Sequence, residues 1–150
     1  MQRGIRRGSR WACAITLSML LAGCGSPDIT PTRLAGDITH NFPRQYREQR
    51  RLEGASRPTE TAVRARVSCT KGGPLVPDRG PGKDWICKVS WIDAGGMPRT
   101  SSYEINARTE ACYTATDPAL TAQHQFVTTP DNQKVDNPLY QFDGCFDVTD

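Results

Sequence analysis

Two histidines in 150 residues leave the chain short of the commonest general base, and no Gly-x-Ser-x-Gly elbow presents a serine nucleophile. His40 falls in a segment read below as helix and His124 in a polar loop, so both are expected at the surface. A Walker loop, a dinucleotide fingerprint, a zincin motif and a calcium loop are all missing, and no cofactor is expected. There is no Cys-x-x-Cys pair, and neither histidine stands at ligand spacing from a cysteine, which argues against a zinc or other metal site. Internal repeats and low-complexity tracts are absent too. The longest apolar-rich run, Trp11 to Leu21, is too short for a membrane span, which needs about 20 residues in a helix.

What stands at the N-terminus is informative. Met1 to Arg10 carries Arg3, Arg6, Arg7 and Arg10 and no acidic residue, and the apolar run follows directly, the order of an export signal. The run ends Leu21-Ala22-Gly23-Cys24, which resembles the lipobox of bacterial lipoproteins. That resemblance implies cleavage before Cys24, so that residues 1–23 are removed, and a diacylglycerol with palmitate-type chains on the Cys24 thiol. Residues 24–30 then form a tether and residues 31–150 one small domain. Two acyl chains anchor stably where one is marginal, which places the chain on the extracytoplasmic face of the cell membrane. Arg6-Arg7 lacks the apolar pair that follows in twin-arginine signals, so Sec export is expected.

Loss of the leader changes the charge. The four leader arginines take Lys plus Arg from 19 to 15 against 16 acidic residues, leaving a net side-chain charge of minus one. The basic balance of the whole chain therefore carries no nucleic-acid reading.

Cys13 leaves with the leader and Cys24 takes the lipid, so Cys69, Cys87, Cys112 and Cys145 remain. An even number in a small exported domain predicts two disulfides, for which three pairings exist. Cys69 with Cys87 and Cys112 with Cys145 are favoured, because each pair lies in or beside neighbouring extended segments and closes a modest loop. The loop-entropy model gives about 3 and about 4 kcal/mol for them.

Along the chain, Thr30-Pro31 reads as a helix cap followed by proline at the first helical position. Leu34, Ile38, Phe42 and Tyr46 follow at a spacing of four and lay down one apolar stripe. Pro43 interrupts the run and predicts two helical pieces, or one helix kinked there, ending before Gly54. Beyond a polar connector the period becomes two, with Val63, Ala65, Val67 and Cys69 on one side. Lys71 to Lys83, with its glycines and prolines, reads as a loop. Trp85, Cys87, Val89 and Trp91 share the face of a second strand, and Asp93-Ala94-Gly95-Gly96 turns into a third that aligns Tyr103, Ile105 and Ala107. A short strand in Ala111 to Thr116 and a last one at Leu139 to Val148, with Tyr140 and Phe142 on one face, complete the pattern. Between them Asp117 to Pro138 is polar, with one short extended piece at Gln125 to Thr129, and is long enough to be functional or loosely ordered. The fold class is α+β: a kinked amphipathic helix packed on a four- to five-stranded antiparallel meander held by two disulfides. Trp85 and Trp91 read as core beneath that helix rather than as a ligand platform.

From Asp28 to Ala107 this order resembles a group of small actinobacterial-type lipoprotein domains of unknown function. They run lipobox, amphipathic helix, a strand ending in cysteine, a glycine-bearing loop, an aromatic-x-Cys strand and a hairpin. The matching residues are Cys24, Leu34 to Leu52, Val67-Ser68-Cys69 and Trp85 to Trp91. The resemblance implies an envelope location more than an activity.

Two function classes follow. The first is a non-enzymatic binding module of the envelope, using the sheet edge and the 117–138 loop to hold an envelope protein or cell-wall ligand. The second is a small hydrolase-like enzyme whose polar residues converge only in three dimensions, with no catalytic residue legible beforehand. Arg44, Arg47, Arg50 and Arg51, partly offset by Glu48 and Glu53, are weighed as a contact with anionic headgroups against a solvated helix face.

Overall fold

The computed structural model describes residues 28–120 and 124–146, so the expected leader, Cys24 and the expected cleavage site lie outside the described residues. Helix α1 (Pro31–Leu52) runs unbroken through Pro43, where two pieces or a kink were expected. Thr30 caps it, its hydroxyl accepting from the Arg33 N–H at 3.3 Å, and Gly54 ends it in the left-handed conformation. The spacing of four then does its work: Leu34, Ile38, Phe42 and Tyr46 are all buried, and Pro43 is buried beside them. A proline there removes one helical donor, and burial of its ring on the packed side of the helix offsets part of that loss.

A second, four-residue helix, α2 (Glu60–Val63), takes the place of the expected strand start, because Thr59 caps the turn through the Ala62 N–H at 3.2 Å. Arg64 follows in the left-handed conformation and re-aims the chain, so β1 begins only at Arg66 (Arg66–Lys71). It is joined by β2 (Gly82–Ile92), β3 (Pro98–Ala107), β4 (Cys112–Thr116) and, after a separate hairpin of β5 (Phe126–Thr128) and β6 (Lys134–Asp136), by β7 (Gln141–Cys145). The large sheet has the order β1-β2-β3-β4-β7, with every neighbouring pair antiparallel.

One face of this sheet lies under α1. Trp85, Cys87, Val89, Tyr103, Ile105, Tyr113, Ala115 and Phe142 project into that core, as the period of two requires. Phe42 is its aromatic hub, 5.0 Å from Trp91, 6.2 Å from Tyr103 and 6.5 Å from Phe142 between ring centroids. Tyr140 precedes β7 instead of sharing a strand face with Phe142.

Both favoured disulfides are present. Cys69 lies directly opposite Cys87 and Cys112 directly opposite Cys145, with Cα atoms 4.1 and 4.0 Å apart. The bonds Gly72 N–H to Asp84 and Phe146 N–H to Ala111 fix both cysteine pairs at non-hydrogen-bonded positions, where facing Cα atoms come closest. Their settings differ: Cys69 and Cys87 are buried beneath α1, whereas Cys145 is exposed on the outer face.

Candidate functional site

The helix and the strands give the molecule two poles. At one, the Gly80 N–H donates to the Ile29 carbonyl at 2.8 Å and Arg79 pairs with Asp28 at 2.9 Å, which fixes the start of α1 beside the start of β2. At the other, the Ala94 N–H donates to the Tyr46 hydroxyl at 2.8 Å, which fixes the far half of α1 against the β2–β3 turn. Tyr46 lies 15 residues past Pro31, about 22 Å along the helix, which sets the scale of the separation between the poles.

A cleft of about 370 Å³ opens at the far pole. Its floor is aromatic and aliphatic: Tyr46, Trp91, Tyr103 and Leu139. Among its polar groups Asp93, Arg99, Ser101 and Asp117 are already engaged. Asp93 Oδ1 accepts from the Gly95 and Met97 N–H groups, both at 2.9 Å, and Oδ2 accepts from Arg99 Nε at 2.8 Å. The Met97 bond first, and then the Arg99 guanidinium, hold that carboxyl below the usual carboxylate range. Asp117, only 3% exposed, accepts from the Ser101 hydroxyl on one oxygen and from the Ala119 N–H at 2.9 Å on the other. Tyr103 donates its hydroxyl to the Leu139 carbonyl at 2.9 Å, and burial, followed by the Asp117 charge, pushes that hydroxyl well above its ordinary range. The indole N–H of Trp91 is buried here without a hydrogen-bond partner among the described residues.

A second depression, of about 300 Å³, shares Trp91, Arg99 and Thr100 with the first and adds Arg64, Arg66 and Pro98. Arg99 is committed to Asp93, while the exposed Arg64 and Arg66 have no hydrogen-bond or ion-pair partner among the described residues. The far pole therefore offers an apolar floor with carboxylates on one side and free guanidinium groups on the other.

The 117–138 segment is pinned by two buried polar residues. Asp117 holds its start as described, and Asn137 holds its end, donating to the His124 carbonyl at 2.8 Å and accepting from the Leu139 N–H at 2.9 Å. Between them β5 and β6 pair, with Val127 opposite Val135. Sequence reading marked only the β5 portion, because Lys134–Asp136 is too short and polar to show a period.

The histidines stay apart from the cleft. His40 lies on the exposed side of α1, with its Nε2 2.6 Å from Arg44, and His124 is exposed. Among the described residues no group of three or more His, Cys, Asp or Glu is arranged to hold a metal, and no helix is long and apolar enough to cross a membrane.

The arginine cluster is laced with carboxylates. Arg47 pairs with Glu60 at 3.0 Å, Arg50 with Glu53 at 3.0 Å and Arg51 with Glu48 at 2.6 Å. The cluster begins 13 residues past Pro31, about 20 Å along the helix, and so belongs to the far half of the molecule. Of the two tryptophans among the described residues, Trp85 is wholly buried and donates its indole N–H to the Gly80 carbonyl at 3.0 Å, whereas Trp91 is half-buried between the core and the cleft.

No protein-family model, no curated protein and no solved structure matches this chain.

Proposed function

We propose that the chain is a lipid-anchored, extracytoplasmic envelope protein that acts as a binding module, held to the membrane through Cys24. One observation carries the reading: the cleft that combines an aromatic floor with charged side chains opens at the pole opposite the one where the described chain begins. A tether at Cys24 reaches Asp28 over four Cα steps, at most about 14 Å, so it holds the near pole against the bilayer and turns the cleft outward. Two cross-strand disulfides support residence outside the cytosol, where such bonds persist.

Binding suits the cleft better than catalysis, because the oxygens of Asp93 and Asp117 are taken up in bonds that shape the turn and the loop. The ligand class is an envelope protein or cell-wall component with an apolar body and an anionic group. The apolar body suits the floor at Tyr46 and Leu139, and the anion suits Arg64 and Arg66.

The test places a photo-crosslinking residue at Thr100, an exposed position shared by both depressions, and irradiates intact cells. Specific adducts are expected at Thr100, and none from the same residue placed at Lys88, exposed on the outer sheet face. Equal, unspecific labelling from both positions overturns the binding-module reading. Mass spectrometry of the same purified chain reads the anchor: an intact leader or an unmodified Cys24 thiol removes it.

A further inference from the structure

The loop between β1 and β2 presents an apolar tip that the core does not use. Leu75 is 95% exposed, the most exposed large hydrophobic side chain among the described residues, and Val76 beside it is 38% exposed. Prolines 74 and 77 flank the pair. Isolated surface leucines need no explanation, but this one stands on a built support.

The support is Lys71. Its side chain is nearly buried, and Nζ donates to the carbonyls of Arg79 at 2.9 Å, Pro81 at 2.9 Å and Gly80 at 3.4 Å. The Lys71 backbone N–H donates to Asp78 at 2.5 Å, and Trp85 adds its bond to Gly80. These bonds fix both ends of the loop while leaving Leu75 and Val76 outside.

The loop's position is equally specific. Arg79 and Gly80 are the residues that hold Asp28 and Ile29, where the described chain begins. Leu75 lies four residues before Arg79, hence within about 14 Å of that point along the chain. Two cations around the loop stand beside carboxylates: Arg79 pairs with Asp28 at 2.9 Å, and Lys71 lies 3.9 Å from Asp84.

We infer that the Leu75–Val76 tip is a second membrane contact, seated at the boundary of headgroups and acyl chains in the bilayer that holds the Cys24 lipid. The inference rests on the lipid anchor of the preceding section. Its driving force is burial of apolar surface, since Lys71 and Arg79, the cations at the base of the loop, already stand beside carboxylates. It orients the domain by giving it two points of attachment at one pole, with the cleft at the other.

The test uses the lipidated mature chain reconstituted in phosphatidylcholine vesicles whose acyl chains carry bromine, a short-range quencher. Leu75→Trp adds a fluorophore at an exposed position without touching the core, and Thr100→Trp provides the far-pole control. Quenching of the added emission by about twofold is expected for Leu75→Trp and none for Thr100→Trp. Replacing part of the neutral lipid with anionic lipid is expected to leave the result unchanged. Unquenched Leu75→Trp emission in a chain shown by mass spectrometry to carry acyl groups overturns the inference and leaves the anchor standing. A chain without acyl groups fails the anchor reading instead. Quenching that appears only on anionic vesicles overturns apolar insertion in favour of charge.

Discussion

Gly144 and Tyr113 face each other where β7 pairs with β4, and the tyrosine ring occupies the space that a side chain at position 144 would need. A Cβ there would lie 2.7 Å from Tyr113 Cε1 and closer still to the hydroxyl. That hydroxyl donates to Asp37 Oδ2 at 2.6 Å, so the close approach fastens the sheet to α1. Gly144→Ala is expected to destabilise the fold by about 2–3 kcal/mol through overpacking and loss of this bond. Denaturant midpoints read it, and a change below about 0.5 kcal/mol would show that the ring moves aside freely.

Lys71 bonds three loop carbonyls with a nearly buried ammonium. Lys71→Met keeps the stem and removes every donor, leaving those acceptors without their partner. The expected loss is about 2–4 kcal/mol, with faster proteolysis in the Gly72 to Pro81 loop than elsewhere. Unchanged cleavage there would mean that the loop holds itself.

The two disulfides should differ in reactivity. Cys145 is exposed, whereas Cys69 and Cys87 lie beneath α1. Reducing agent under native conditions is therefore expected to open Cys112–Cys145 first, as read by alkylation and peptide mapping. Opening of Cys69–Cys87 first would show that α1 lifts from the sheet readily. Replacing Cys112 and Cys145 by alanine should cost up to about 4 kcal/mol for the 33-residue separation.

Stability should fall at both ends of the pH range. Asp93 titrates below its unfolded value, so its contribution is present above about pH 4 and is lost as pH falls through the lower folded value. Asp93→Asn should shrink the difference between neutral and acid melting temperatures, and an identical acid limb in the variant would refute this. Tyr103 and Tyr113 move the opposite way: burial raises both hydroxyls, with Asp117 and Asp37 respectively adding to it. Their contribution is full below about pH 10 and is lost as pH rises further. Ultraviolet difference titration should show these two tyrosines ionising only as the fold opens, and their ionisation with the fold intact would contradict the assignment.

The α+β class, the helix stripe, all five strands of the main sheet and both disulfide pairings were legible, because each rests on a short-range rule. A spacing of four buries Leu34 to Tyr46, a period of two buries Trp85 to Val89, and cysteines on adjacent strands meet when the strands pair. Where no period existed, reading stopped. The α2 turn at Glu60–Val63 mimics the start of a strand, and Lys134–Asp136 shows nothing until Phe126–Thr128 comes to pair with it.

The four cysteines beyond Cys24, the leader-like N-terminus and the alternating strands are properties of the chain read alone, since composition and periodicity act over a few residues. The cleft could not be read the same way. Tyr46, Trp91, Ser101, Asp117 and Leu139 come from five separate stretches, and only packing of the helix on the sheet brings them to one pole. Packing likewise decided that the arginine cluster lies in the half away from the chain's start, and that Leu75 stands beside that start. Contacts across dozens of residues depend on how elements pack, and no local pattern records that.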